Sequence, residues 1–372
     1  MSPNAFQRQT LRLLQVWLEG GPDLLPELEQ WVGLLMGDDP LGADDNQVRA
    51  ALAGESRHHQ QWLDRQGLTP IFAQLLSQHP LPTLAPAVQP VVQEVWRKKR
   101  QGYVARSLHQ EVAARAVTAA LDAWGGPWAC TKGFPLARRV YDQPYLRPSS
   151  DIDILVAPEN RGAALAALYA IGGKDSSLTI QPNEQAVVIR GIHIDVHYAP
   201  MRKGRLRYDP TAEWLSRTER TGLFPGLSEH DELVLSLVHP AVTEYLNARA
   251  VRILDIPLQI RRNRERPDWP RLATDIRRLG LANAAFATAL RANHLFASNN
   301  HPVIPERFLE SLKVGWFRRR WWRGWLDRRP DRLYSHSPLL AQALFSLWLN
   351  DSPRDCLRAL LDKSAIGPGP RA

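Results

Sequence analysis

Cysteine is almost missing from this chain: Cys130 and Cys356 are the two in 372 residues. Without further pairs or metal-type spacing, a disulfide framework and a thiolate zinc site are both excluded. Long apolar runs are missing too. No stretch reaches the roughly 18–20 consecutive apolar residues that a membrane-spanning helix requires. The N-terminus also lacks the basic, apolar, small-residue order of a secretory leader, so the expected location is the cytoplasm. No internal repeat or low-complexity tract is visible, which argues against a solenoid.

Basic residues are in excess. Lys and Arg number 47 against 38 Asp and Glu, a net charge of +9. That balance favours an acidic ligand, and both a nucleoside triphosphate and a nucleic acid qualify. Proline is also frequent, at 29 residues, which predicts many short helices with defined stops. The length suffices for two or three compact units.

The chemistry concentrates between Thr131 and Tyr198. Asp151-Ile152-Asp153-Ile154-Leu155-Val156 and Ile192-His193-Ile194-Asp195-Val196-His197 both read as short strands with alternating polar and apolar residues. A period of two puts Asp151 and Asp153 on one face, and His193, Asp195 and His197 together on a face of the second strand. If the strands are neighbours, three carboxylates converge. Such a cluster repels itself unless a cation is present. Mg²⁺ takes hard oxygen ligands shared with substrate phosphates, and a pair of such ions clamps an in-line displacement at phosphorus. Upstream, Pro127-Trp128-Ala129-Cys130-Thr131 reads as a strand ending in Lys132-Gly133, where a lysine point charge and a small residue admit a polyphosphate. Arg147 offers a fork to phosphate, and Ser149 and Ser150 offer hydroxyl donors. The competing reading is a surface strand with an outward acidic face. In that reading Arg147 is an ion-pair partner of Asp142 or Asp151, Tyr141 is packing, and His193 and His197 orient Asp195.

The string Lys132-Gly133, Tyr141, Arg147-x-x-Ser150-Asp151-Ile152-Asp153-Ile154-Leu155-Val156, then His193-Ile194-Asp195-Val196-His197, resembles the uncharacterised nucleotidyltransferase family of the polymerase-β superfamily. The resemblance is specific over about residues 128–200. It implies an α+β fold: a mixed-sheet catalytic core flanked by N- and C-terminal helical regions. It implies Mg²⁺ (or Mn²⁺) bound by Asp151, Asp153 and Asp195, and an NTP donor, ATP first. Lys132, Gly133, Arg147, Ser149 and Ser150 would hold the triphosphate. The superfamily's Gly-Ser is Gly133-Phe134 here, and Lys132 is expected to substitute for the absent hydroxyl. The implied reaction moves an NMP onto a hydroxyl or similar acceptor of a small molecule, peptide or protein. Two other classes stay open: a nucleic-acid enzyme or binder of tRNA type, and a non-catalytic NTP-binding scaffold.

The expected division is a helical region over 1–124, the catalytic core over 125–225, a helical domain over 226–366 and a disordered tail over 367–372. A long helix from Val91 to Trp124 would bury Val95, Leu108, Val112, Ala116 and Ala120. Pro80, Pro82, Pro86 and Pro90 precede it as an extended crossing. His58-His59 reads as solvated surface, and Trp96-Arg97-Lys98-Lys99-Arg100 as a wet helical face. A turn at Arg190-Gly191 would join Gln185–Ile189 to the Asp195 strand. Met201–Pro225, with Arg202, Lys203, Arg205 and Arg207, reads as loop. Ser228-x-x-Asp231-Glu232 is a helix cap. Asp255 is expected as an N-cap or buried ion pair. From Val314 to Arg329, Val314, Phe317, Trp321 and Trp325 share a helical face, set among arginines. Core docking of that helix leads over base stacking and over a membrane surface.

Overall fold

The alternating string at 151–156 becomes the middle of a seven-stranded mixed sheet. The strands are β1 (Trp128–Thr131), β2 (Asp151–Val156), β3 (Lys174–Asp175), β4 (Glu184–Ile189), β5 (Ile192–His197), β6 (Glu219–Thr221) and β7 (Phe224–Gly226), in the order β3-β4-β5-β2-β1-β7-β6. The computed structural model of the chain describes residues 3–20, 24–36, 57–79, 81, 86, 88–176, 184–202, 204–244, 248–297, 302–328 and 347–361. Helices lie on both sides of the sheet in the sequence, so the fold is the expected α+β arrangement. Lys203, Pro80, Pro82 and the 367–372 tail lie outside the described residues.

Period-two patterning divides the sheet cleanly. Ile152, Ile154, Val156, Ile194 and Val196 pack on one face against Ala113, Ala114, Val117 and Leu121 of a long helix and against Ala164, Leu165 and Leu168. Ala129, Leu155 and Ala157 belong instead to the larger core, shared with the N- and C-terminal helices. Asp151 and Asp153 precede Leu155 on that second face. The polar end of the central strands therefore lies where the sheet meets the helices.

The long helix runs from Val88 to Trp124, about 55 Å at 1.5 Å per residue. It begins three residues earlier than expected, because Pro90 falls in the first turn, where a missing N–H removes no helical bond. Its first turns join the larger core through Val88, Val91, Val92 and Trp96, and its last turns cover the sheet. The expected stripe is out of phase. Leu108 and Val112 are 59% and 47% exposed, and Ala113, Val117 and Leu121 point inward instead. One residue rotates the face by about 100°, and an alanine-rich stretch does not fix which side is buried.

The β4–β5 turn is two residues, with Arg190 and Gly191 both at positive φ, as a type I′ turn requires. His109 of the long helix donates from Nε2 to the Arg190 carbonyl at 2.8 Å. The 201–225 stretch holds more structure than expected. It contains the helix Thr211–Leu215 and strands β6 and β7, the latter parallel to β1 through Cys130 and Gly226. Both strands are three residues long, too short to show a period, and β7 ends in Pro-Gly. Arg207 bonds to Asp355, and Arg205 is buried, so these arginines belong to the fold.

The Trp316–Arg328 helix docks on the core as expected, with Val314 buried just before it and Trp321 and Trp325 packed against the core. Phe317, 61% exposed, turns outward, however, and Trp322 and Leu326, four apart, join the buried side. Trp321 stacks on Trp348. His59 is not simply solvated: its ring stacks on Phe6 at 4.0 Å. The Arg97–Arg100 run is a wet face, with Arg97 and Lys98 both paired to Glu94. Among the described residues, no helix is long and apolar enough to cross a membrane.

Candidate active site

Register does what sequence spacing cannot. β2 and β5 are parallel neighbours in which Asp153 lies opposite Asp195 and Asp151 opposite His193. Asp151, two residues before Asp153, shares its face, so the three carboxylates gather on adjacent strands about 4.8 Å apart. The consequence is visible at Asp195. Burial, then Asp153, then Asp151 push its carboxyl up to about 7. Among the described residues, no hydrogen bond or ion pair reaches that carboxylate.

Asp153 is the opposite case. Lys132 donates from Nζ to its Oδ1 at 2.7 Å, and Nε2 of His197 faces the same oxygen at 2.7 Å. The other ring nitrogen of His197 faces Glu184, the residue opposite it on β4, at 3.2 Å. Burial acts to raise the Asp153 pKa. The Lys132 ammonium and His197 outweigh it and hold the carboxylate well below its usual range. Burial likewise opposes the charge on Lys132, and Asp153 overcomes it and raises the lysine. His197 thus orients Asp153 rather than Asp195, while His193 lies opposite Asp151 on the site's face.

Ser149 and Ser150 both turn toward Asp151. Ser149 Oγ lies 2.9 Å from Oδ1, and Ser150 Oγ donates to Oδ2 at 3.2 Å. Gly133 is small for a reason the sequence did not disclose. A Cβ there would lie 2.8 Å from Nη1 of Arg147 and 3.2 Å from Oγ of Ser149. Arg147 in turn forks onto Asp255, with Nη2 at 2.8 Å from Oδ2, and Tyr141 donates its hydroxyl to Asp255 Oδ1 at 2.8 Å. All three are buried. Asp255 is therefore the buried ion-pair partner of Arg147, not an N-cap, since it sits inside the helix Ala250–Arg262. Burial, with the Asp255 charge second, pushes the Tyr141 hydroxyl well up. This trio braces the segment that leads into β2 against a helix more than a hundred residues later.

A cleft opens beside these groups. One wall is Lys132, Gly133, Ser149, Asp151 and Asp153; the other is Glu232, Leu235, Ser236 and His239 from the helix Glu229–Val242, with Arg252 from the next helix. Ser228 caps that first helix as expected, accepting from the Asp231 N–H. Sequence reasoning treated Glu232 as part of the cap and passed over His239. A signal was present: Glu232, Leu235, Ser236 and His239 follow i, i+3, i+4, i+7, which puts three polar groups on one stripe of an apolar helix. Burial pushes Glu232 up to about 7 against the opposing Arg139 charge. Burial, helped by Lys132 and Arg252, holds His239 well below the usual range.

The three carboxylates suit a hard divalent cation by donor type, and Asp195 carries a charge that such an ion would offset. Among the described residues, no three His, Cys, Asp or Glu side chains form a ready-made metal cage. The Lys132 ammonium is the cation that Asp153 holds here.

A family model described as an uncharacterised nucleotidyltransferase matches residues 55–297, well over half of the chain. No curated protein matches it.

Proposed function

The chain belongs to the uncharacterised nucleotidyltransferase family, and from that premise we propose a Mg²⁺-dependent enzyme that moves an NMP, AMP first, from an NTP to an acceptor hydroxyl or similar group. The acceptor belongs to a small molecule, peptide or protein. The observation that carries this reading is the in-register placement of Asp153 and Asp195 on parallel neighbours, with Asp151 on the same face.

Each group then has a role. Asp151, Asp153 and Asp195 would hold the metal, which when bound neutralises the carboxylates and polarises the α-phosphate. Asp195, in register with Asp153 and without a hydrogen-bond partner among the described residues, takes the proton from the acceptor hydroxyl. The acceptor oxygen bonds to the α-phosphorus as the bond to pyrophosphate breaks. Lys132 offsets charge on the departing pyrophosphate. Ser149 and Ser150 hold Asp151, and His197, steadied by Glu184, holds Asp153. Arg147 supports the cleft wall beside Gly133 from its pairing with Asp255.

The test is mass spectrometry of candidate acceptors incubated with each NTP and Mg²⁺, comparing wild type with Asp195→Asn. The variant should lose transfer by about 100-fold or more, keep its affinity for a non-hydrolysable NTP within a few-fold, and melt no lower than wild type in EDTA, because it removes a repelled charge. Undiminished transfer in Asp195→Asn refutes the assignment.

One observation supports a nucleic-acid acceptor as a second reading. Trp316 is 74% exposed beside Phe317 on an arginine-rich helix, which suits base stacking. RNA binding that weakens steeply with salt would favour it, because counterion release scales with phosphate contacts.

A further inference from the structure

Lys132 is held in a backbone conformation that a lysine rarely adopts, with φ 63° and ψ −131°. Conformations of that kind are strained and persist only where the surroundings over-determine them. Three contacts do so. The Lys132 carbonyl accepts from Leu136 N–H at 3.2 Å, which opens the short helix Gly133–Arg139. The ammonium is tied to Asp153. The N–H donates to Oε1 of Glu232 at 3.1 Å, across a hundred residues of sequence.

Glu232 has the features of a group kept for that contact. It is 1% exposed, in the first turn of the helix Glu229–Val242 and directly ahead of the buried Leu233, Val234 and Leu235. Its second carboxyl oxygen is buried without a hydrogen-bond partner among the described residues, at the cleft wall facing Lys132 and Asp153. A leucine there would satisfy the helix and its packing, but it would leave the N–H of a strained residue without its acceptor. An isolated buried carboxyl is itself unfavourable. Its presence is explained by what it holds.

We propose that Glu232 is a positioning residue of the transfer site: its carboxyl fixes the Lys132–Gly133 turn so that the Lys132 ammonium stands on the carboxylate face, where the triphosphate is to be met. The phosphate half of this statement rests on the function proposed above; the half about the lysine does not. The C-terminal helical region thus completes the site, and the strand-and-turn unit does not set the lysine's direction alone.

The experiment compares Glu232→Leu, Glu232→Gln and Lys132→Met in the full chain. The first readout is the rate at which acetic anhydride labels Lys132, followed by peptide mass spectrometry, which needs no substrate. Freed from its turn, Lys132 in Glu232→Leu should label several-fold faster, whereas Gln, which keeps an acceptor oxygen, should label as wild type. The second readout is calorimetric binding of inorganic tripolyphosphate. Glu232→Leu should weaken it by about tenfold or more, as expected for a misplaced binding group. Gln should restore it to within about twofold, and the Lys132→Met/Glu232→Leu double variant should bind no worse than Lys132→Met alone, because the two act through one group. If Glu232→Leu does not fold, Glu232→Asp, one methylene shorter, serves in its place with smaller changes in the same directions. Unchanged Lys132 labelling in a folded Leu or Asp variant overturns the proposal, as does a Gln variant as impaired as Leu. Wild-type protein that binds neither tripolyphosphate nor any NTP overturns the transferase reading instead, with the labelling result still deciding the role of Glu232.

Discussion

Asp255→Asn should destabilise the protein more than most single substitutions, and the structure sets the size. The Arg147 and Asp255 side chains are 7% and 4% exposed, and the carboxylate receives two guanidinium nitrogens and the Tyr141 hydroxyl. Asparagine preserves the shape, so no cavity forms; what is lost is the charge that compensates a buried guanidinium. Removing one partner of such a pair costs about 3–5 kcal/mol. With an unfolding entropy of about 2.1 cal/mol/K per residue, a loss of about 4 kcal/mol lowers Tm by about 5 °C if the chain unfolds as one unit. Urea denaturation followed by circular dichroism gives the free energy, and a thermal melt gives the shift. The companion is Arg147→Met/Asp255→Leu, which removes both charges and should recover most of the loss. A drop under about 1 kcal/mol for Asp255→Asn, or a double variant as weak as the single, refutes the brace.

Gly133→Ala places a methyl 2.8 Å from a guanidinium nitrogen that Asp255 holds in place; it should cost about 1–3 kcal/mol by overpacking, read in the same urea titration, and an unaltered midpoint contradicts the close approach. Glu232 makes stability depend on pH. Its folded pKa, raised by burial to about 7 from 4.5, means the folded state binds the extra proton between those values, so its contribution is fully present below about pH 4.5 and is lost as pH rises through 7. The difference amounts to about 3 kcal/mol at pH 8. Glu232→Gln should therefore be more stable than wild type at pH 8 and no more stable at pH 5; a gain independent of pH would show that the carboxyl does not titrate in this window.

Much of the site was legible because strands write their faces locally. Alternation at 151–156 and 192–197 assigns Asp151, Asp153 and Asp195 to polar faces without any knowledge of neighbours, since successive side chains must point to opposite sides. The Arg190-Gly191 turn and the Ser228 cap were readable for the same reason: each is completed within four residues. Local signals failed where the partner was distant or the pattern degenerate. The burial phase of the long helix depends on which side meets the sheet, and its alanines do not fix it. Arg147, expected at a phosphate, is held by Asp255, 108 residues away.

By itself the sequence determined that acidic strands face one way, that a lysine and glycine end the strand before them, and that no apolar run is long enough to span a membrane. Tertiary structure decided the register that sets Asp153 beside Asp195, the cation that Asp153 holds, and the helix that supplies Glu232. Periodicity is a property of a single segment, whereas register and ion pairing are properties of two, and their free energy exists only once the chain brings both together.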